Sequence, residues 1–194
     1  MLFRSNTNES VCENISLIPL PEQFFAGGGN SHRGFGLNQA GPRDPDSGFP
    51  VGGTALFVNN LELRFPPMTL PYLGEGFGFA VFHDMGNVFT APHDMLKGLM
   101  RWHQDAPPQC NFGDTTCLNP FNNSGFDYTS HALGVGLRYK TPIGPLRFDF
   151  GYNLNPTAYL QAFTTTNSAG TSVTNLEPQR LRHFNVFFSI GQPF

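Results

Sequence analysis

From Leu133 to Lys140 the chain changes character at every residue: Leu133, Val135, Leu137 and Tyr139 alternate with Gly134, Gly136, Arg138 and Lys140. Such period-2 alternation places successive side chains on opposite faces of a β-strand. The pattern recurs along the chain. In Ala55–Phe65 one face carries Ala55, Phe57, Asn59, Leu61, Leu63 and Phe65, and the other Leu56, Val58, Asn60, Glu62 and Arg64. In Phe77–Phe89 the odd positions begin Phe77, Phe79, Val81, and the even ones read Gly78, Ala80, Phe82, Asp84, Gly86. His83 and Asn87 fall on the apolar face of that segment, and a β-bulge would account for them. Leu146, Phe148, Phe150 and Tyr152 oppose Arg147, Asp149 and Gly151. The last strand sets Phe184, Val186, Phe188, Ile190 and Phe194 against His183, Asn185, Ser189 and Gly191.

The connections alternate as well. A long loop precedes Ala55, a short Pro-rich turn spans Pro66 to Glu75, and a long irregular connection runs from Thr90 to about Ser130. A tight turn at Pro142-Ile143-Gly144-Pro145 then leads to a third long polar loop, Asn155 to Gln179. Within the second long connection, Met95, Leu99 and Trp102 have the spacing of a short amphipathic helix. Strands with aromatics on one face and charges or glycines on the other, joined by alternating short turns and long loops, describe a transmembrane β-barrel of the outer-membrane kind. Its polarity is inverted because lipid is the outer solvent, and it closes because unpaired strand edges are intolerable in lipid. A soluble lipocalin-like barrel or sandwich is the alternative.

Composition supports an all-β chain. Twenty-one Phe, 22 Gly and 17 Pro among 194 residues, with only 13% charged, favour strands and turns over helices. A net charge of -3 without a basic cluster gives no footprint for nucleic acid. No apolar run approaches the ~20 residues of a membrane-spanning helix, which is uninformative for a barrel. The opening MLFRSNTNESVCENISL lacks a basic segment followed by an apolar core and is not a signal peptide. For a barrel this reads as a fragment, or a start within a longer frame, with residues 1–17 an irregular segment. Cys110 and Cys117 lie in a Pro/Asn/Asp-rich loop and could pair in an oxidising compartment or remain free thiols, while Cys12 is left over.

One loop stands out for chemistry. Ala26-Gly27-Gly28-Gly29-Asn30-Ser31-His32-Arg33-Gly34-Phe35-Gly36 combines backbone freedom with one arginine. A phosphate cradle is excluded, because no Gly-Lys-Ser/Thr and no helix follows it. The next periodic segment is a strand, so Arg33 is aimed at a partner within β-structure. No Gly-x-Ser-x-Gly elbow occurs, and His83, His93 and His103 match no metal signature. These residues imply no enzyme activity, cofactor or metal.

The run Leu20-Pro21-Glu22-Gln23-Phe24-Phe25-Ala26-Gly27-Gly28, followed by Arg33-Gly34-Phe35, resembles the barrel half of the bacterial surface antigen family, the outer membrane protein 85 superfamily. Asn60-Leu61-Glu62-Leu63-Arg64 and Phe82-His83-Asp84-Met85-Gly86-Asn87-Val88-Phe89 follow in the order the resemblance requires. So do Gly134–Tyr139, Thr141–Asp149 and Ser189–Phe194. His32 departs from the small aliphatic usual before Arg-Gly-Phe, which requires only that the side chain be tolerated. Gln23 departs from a common arginine and removes a local contact.

The resemblance implies that residues 18–194 are the C-terminal part of an antiparallel barrel of about sixteen strands, contributing roughly five to six of them, with long extracellular loops. POTRA repeats and the earlier strands would precede it, and Ile18–Phe25 would form an open edge. It implies that the loop 26–54 folds back into the lumen and that Arg33, with Gly34 and Phe35, locks onto Asp84 beside Gly86, whose missing side chain leaves room. Glu62, Arg64, Arg138, Lys140, Arg147 and Asp149 would be either a wet lumen wall or a network that holds the loop or passes ions. Phe188, Ile190 and Phe194 would belong to a C-terminal insertion signal read by assembly machinery, with Phe194 alternatively an interfacial aromatic. The implied role is non-enzymatic barrel assembly or polypeptide translocation, as in factors of the BamA and TamA type. The implied partners are outer-membrane lipid and nascent outer-membrane or secreted polypeptides. The alternatives are the barrel of a patatin-like lipase fusion, whose catalysis would lie upstream, and a passive pore.

Overall fold

Alternation becomes pairing in the computed structural model, which describes residues 18–44, 47–66, 68–70, 74–105, 124–142, 144–166 and 172–191. The strands are β1 (Ala55–Arg64), β2 (Met68–Leu70), β3 (Gly74–Phe89), β4 (Ser130–Thr141), β5 (Gly144–Asn153), β6 (Ala158–Thr166), β7 (Ser172–Arg180) and β8 (Phe184–Ile190). Among the described residues a single short α-helix, α1 (Pro92–Gly98), follows β3. The main sheet is antiparallel throughout, in the order β1-β3-β4-β5-β8, with β2 paired to β3. It is open, with β1 and β8 at its edges. The chain is therefore all-β, a section of barrel wall.

Register explains the two faces. Leu63 pairs with Val81, Val81 with Val135, Val135 with Phe150 and Phe150 with Val186, so one apolar row crosses all five strands. Leu61, Leu133, Tyr152 and Phe184 extend the band, and all of these side chains are exposed, Val135 at 55%. A continuous exposed apolar surface of this kind requires an apolar surrounding. The opposite face carries Glu62, Phe82, Asp84, Gly134, Gly136, Arg138, Asp149 and Gly151, and the chain before β1 folds across it.

Several expectations are corrected. No bulge interrupts β3 at His83 or Asn87: the β1–β3 register runs without a shift through both positions, and the β3–β4 register through His83. His83 stays on the outward face, where its ring stacks on His131, and His131 stacks on Trp102. Asn87 is buried because its amide donates to the Phe126 and Tyr128 carbonyls, satisfying the backbone of the long connection. Ile18–Phe25 is not a sheet edge. Leu20–Glu22 forms a 3-10 turn, and Phe24 meets the sheet side only through a bridge to Gly53. Pro at the second position of that turn is compatible with its fixed φ, whereas a ladder would lose a donor.

The loop read from Asn155 to Gln179 contains a second, two-stranded sheet of β6 and β7, paired from Ala158↔Arg180 to Thr166↔Ser172. Its Thr-rich strands hide from a hydrophobicity pattern, and cross-strand hydroxyl pairs such as Thr164–Thr174 support it instead. The helix is also shorter than its spacing predicts: it closes at Gly98, and Trp102 lies beyond it. The short turn after β1 holds β2. Residues 1–17, Cys110, Cys117 and Phe194 lie outside the described residues.

Candidate functional site

Positive-φ glycines and tight turns shape the loop before β1. Gly27 and Gly28 adopt φ of 117° and 103°, a region a side chain strains. A turn brings Phe35 N–H to the His32 carbonyl at 3.1 Å, and Gly28 N–H donates to the Phe35 carbonyl at 3.0 Å. Ala40 N–H closes the base on the Ala26 carbonyl. Arg33, Gly34 and Phe35 thus sit at the tip of a braced finger with three different destinations.

Arg33 enters an acid cluster on the sheet. Its Nε and Nη2 donate to the two oxygens of Asp84 at 2.7 Å each, and its own backbone N–H donates to Asp84 at 2.9 Å. Its Nη1 reaches Glu62 of β1 at 2.8 Å and lies 3.6 Å from Asp149 of β5. Arg33 is 3% exposed and Asp84 0%. A bidentate fork gives direction as well as attraction. The guanidinium also lies over the ring of Phe82, 3.4 Å from its centroid.

The carboxylates are shared. Arg138 donates to Asp149 and, at 3.2 Å, to Glu62, while Arg147 donates to Asp149 and to the Gly29 carbonyl. Arg64, at the exposed end, donates to Glu62 at 2.9 Å. Lys140 is exposed at the end of β4. Four guanidiniums therefore alternate with the carboxylates of Glu62, Asp84 and Asp149, drawn from the loop and four strands. Each charge of this cluster has an opposite neighbour.

Glycines set the depth at which the loop rests, and not the one expected. A Cβ on Gly86 would overlap the Phe57 backbone, so Gly86 admits the neighbouring strand β1 and makes no room for Arg33. The space for Arg33 is opposite Gly151, where a Cβ would overlap the Arg33 carbonyl. Gly134 leaves space for the Phe82 ring beneath the guanidinium, and a Cβ on Gly136 would crowd the Arg138–Asp149 pair. Gly34 fits against Ala132 and the His32 ring.

Phe35, 1% exposed, enters a small core with Ala26, Ala40 and Val88, against which Val58 and Leu181 pack. His32 is fully buried rather than merely tolerated. Its Nε2 lies 3.2 Å from the Ser130 carbonyl, and its Nδ1 accepts from Gly34 N–H at 3.1 Å. That pairing defines a neutral ring with the proton on Nε2. Burial pushes its pKa down, against the Ser130 carbonyl and Asp84, which push it up.

Three further groups carry no sequence motif. Asn153 of β5 and Asn185 of β8 both donate to the Gly34 carbonyl, at 3.0 and 2.9 Å. Arg43, 4% exposed, braces the second half of the loop by donating to the Gln39 and Gly48 carbonyls and lies 4.8 Å from the Tyr159 ring centroid of β6. The turn-rich Gly41-Pro42-Arg43-Asp44-Pro45 run is the only sequence hint to Arg43. Phe188 and Ile190 lie exposed on the outward face of β8. Among the described residues no set of His, Cys, Asp and Glu could hold a metal ion.

An ion cluster of this kind can bind the loop and position it on the sheet. Comparison with known proteins agrees with the architecture. The chain is 28% identical over 138 residues to the outer membrane protein assembly factor BamA of Nitratidesulfovibrio vulgaris, a match covering 71% of this chain and 13% of that relative. The model of the Omp85 superfamily domain matches residues 3–194. With an inside-out antiparallel sheet and an Arg-Gly-Phe finger folded onto its polar face, the chain belongs to the Omp85 superfamily.

Proposed function

We propose that this chain is the C-terminal section of an outer-membrane β-barrel that inserts other β-barrels or passes polypeptide, without enzymatic chemistry. The observation that carries the reading is Arg33, a loop side chain buried among carboxylates of β1, β3 and β5. A passive wall needs no such clamp. A device that must hold a lumenal loop in one place while its edge strand receives another chain does.

The exposed apolar band meets outer-membrane lipid. The edge of β8 turned away from β5 offers backbone donors and acceptors, and a nascent polypeptide strand can add to it. In lipid those groups have no water to satisfy them, so pairing itself drives strand addition and no nucleotide is required. The outward Phe188 and Ile190 give β8 the amphipathic character by which assembly machinery recognises a last strand.

The test uses the full-length protein carrying this chain, in vesicles supplied with an unfolded β-barrel substrate. Arg33→Ala and Asp84→Asn should each cut substrate assembly severalfold while the protein stays membrane-inserted. Wild-type assembly by both variants overturns the reading. Altered ion conductance with unchanged assembly overturns it in favour of a passive pore.

A further inference from the structure

The loop touches β8 in a way quite unlike its attachment to the other strands. Toward β1, β3 and β5 it is held by the ion cluster. Toward β8 the Gly34 carbonyl accepts the Asn185 amide at 2.9 Å, and Gly29 packs against Phe187, where an added Cβ would meet the Phe187 Cβ at 3.3 Å. Cavities lie on both sides of this seam. One of about 200 Å³ is lined by Gly29, Asn30, Arg147 and Phe187, and one of about 260 Å³ by Gly34, Gln39, Leu181 and Asn185. The same Gly34 carbonyl accepts the Asn153 amide of β5 at 3.0 Å. One loop oxygen therefore bridges the two strands, held by Asn185, the register partner of Gly151, and by Asn153 two residues farther along β5.

We propose that Asn185 and Phe187 form a latch through which the docked loop holds the edge strand β8 against β5. A carbonyl has two acceptor sites, and both are used here by amides from adjacent strands. With the loop docked, moving β8 away from β5 breaks a loop bond as well as ladder bonds. With the loop undocked, β8 keeps its ladder to β5 and the Phe148–Phe188 and Phe150–Phe184 ring contacts but loses the loop bond. Docking and β8 pairing are therefore coupled, and the coupling is reciprocal: loosening either loosens the other. Thin packing on both sides makes this seam the separable one, because little buried apolar area must be re-exposed. Asn185 and Phe187 are positioning residues, acting through the loop and the ladder.

The inference concerns mechanics and can fail while the assembly reading stands. Its test is amide hydrogen exchange of the full-length protein in lipid nanodiscs, read at Val186–Ile190 and at Gly28–Phe35. Asn185→Ala should raise exchange in both segments by about fivefold, the net contribution of one hydrogen bond. Arg33→Ala, which removes no contact with β8, should raise exchange in β8 as well as in the loop. Phe187→Ala serves if Arg33→Ala fails to fold, and should loosen the loop. Loop exchange that rises in Arg33→Ala while β8 stays at the wild-type rate overturns the latch. So does wild-type exchange in both segments of Asn185→Ala, or a wild-type loop in Phe187→Ala.

Discussion

The guanidinium of Arg33 lies over the ring of Phe82, and that ring occupies the space in front of Gly134, where a Cβ would overlap it. Phe82 and Gly134 are register partners on β3 and β4. The geometry of a pleated pair thus supplies a flat floor for a loop arginine, while Asp84, two residues along β3, supplies its carboxylate. Truncating either partner of the Arg33–Asp84 pair strands a buried charge. Arg33→Ala and Asp84→Ala are expected to cost about 3–5 kcal/mol each in loop docking. The double variant should cost less than their sum, which a double-mutant cycle in thermal or denaturant unfolding reads directly.

The two glycines that face the polar side near Arg33 have separable effects. Gly151→Ala should push the Arg33 backbone outward and raise exchange at Gly28–Phe35 with the β1–β3 ladder intact. Gly86→Ala should do the reverse, since its φ of 149° and its contact with the Phe57 backbone place the cost in β1. Identical exchange patterns in the two variants would contradict this assignment.

Phe35 fills a core of small and branched neighbours, Ala26, Ala40, Val58 and Val88. Phe35→Ala leaves a cavity there and should destabilise the docked loop by about 3–5 kcal/mol. Phe35→Leu should cost less. Limited proteolysis at the loop, before and after substitution, measures the difference.

His32 makes docking depend on pH. Its folded pKa lies below the ordinary value of 6.5, chiefly through burial. Between the two values the undocked state binds more protons, so docking gains stability as pH rises. The contribution is complete above the unfolded value and is lost as pH falls through the folded one. Protonation would set an N–H at Nδ1 against the Gly34 N–H it now accepts. Loop protection factors, taken against the intrinsic exchange rate at each pH, should fall on acidification below about pH 6.5, and His32→Gln should flatten that dependence.

Asp127 responds in the opposite sense. Burial, followed by nearby Asp94, pushes its carboxyl up to about 6, and its Oδ1 is buried without a hydrogen-bond partner. The folded state binds the extra proton between the unfolded value of 3.8 and about 6, so local stability falls as pH rises across that window. Asp127→Asn should slow exchange around Ser124–Ser130 at neutral pH and lose that advantage near pH 4. Equal effects at both values would refute the assignment.

What could be read along the chain was local or periodic. Alternation defined the main strands, because a period of two survives any packing, and their polar face followed from Glu62, Asp84, Arg138 and Asp149 each alternating with the apolar residues of its own strand. The order of long and short connections defined the antiparallel wall. The Arg-Gly-Phe finger was visible as a glycine-rich run that no helix followed. What only the tertiary structure decided was how strands stack in register and where the loop lands. Register put Gly151, and not Gly86, under Arg33, since which glycine faces a visiting chain depends on neighbours far away in sequence. It also placed Asn153 and Asn185 on one carbonyl, an arrangement that neither asparagine signals alone. The β6–β7 hairpin escaped because its strands gain from cross-strand hydroxyl pairing rather than from an apolar stripe. His32 looked incidental because its two hydrogen-bond partners, one of them 98 residues away, become neighbours only when the finger folds onto the wall.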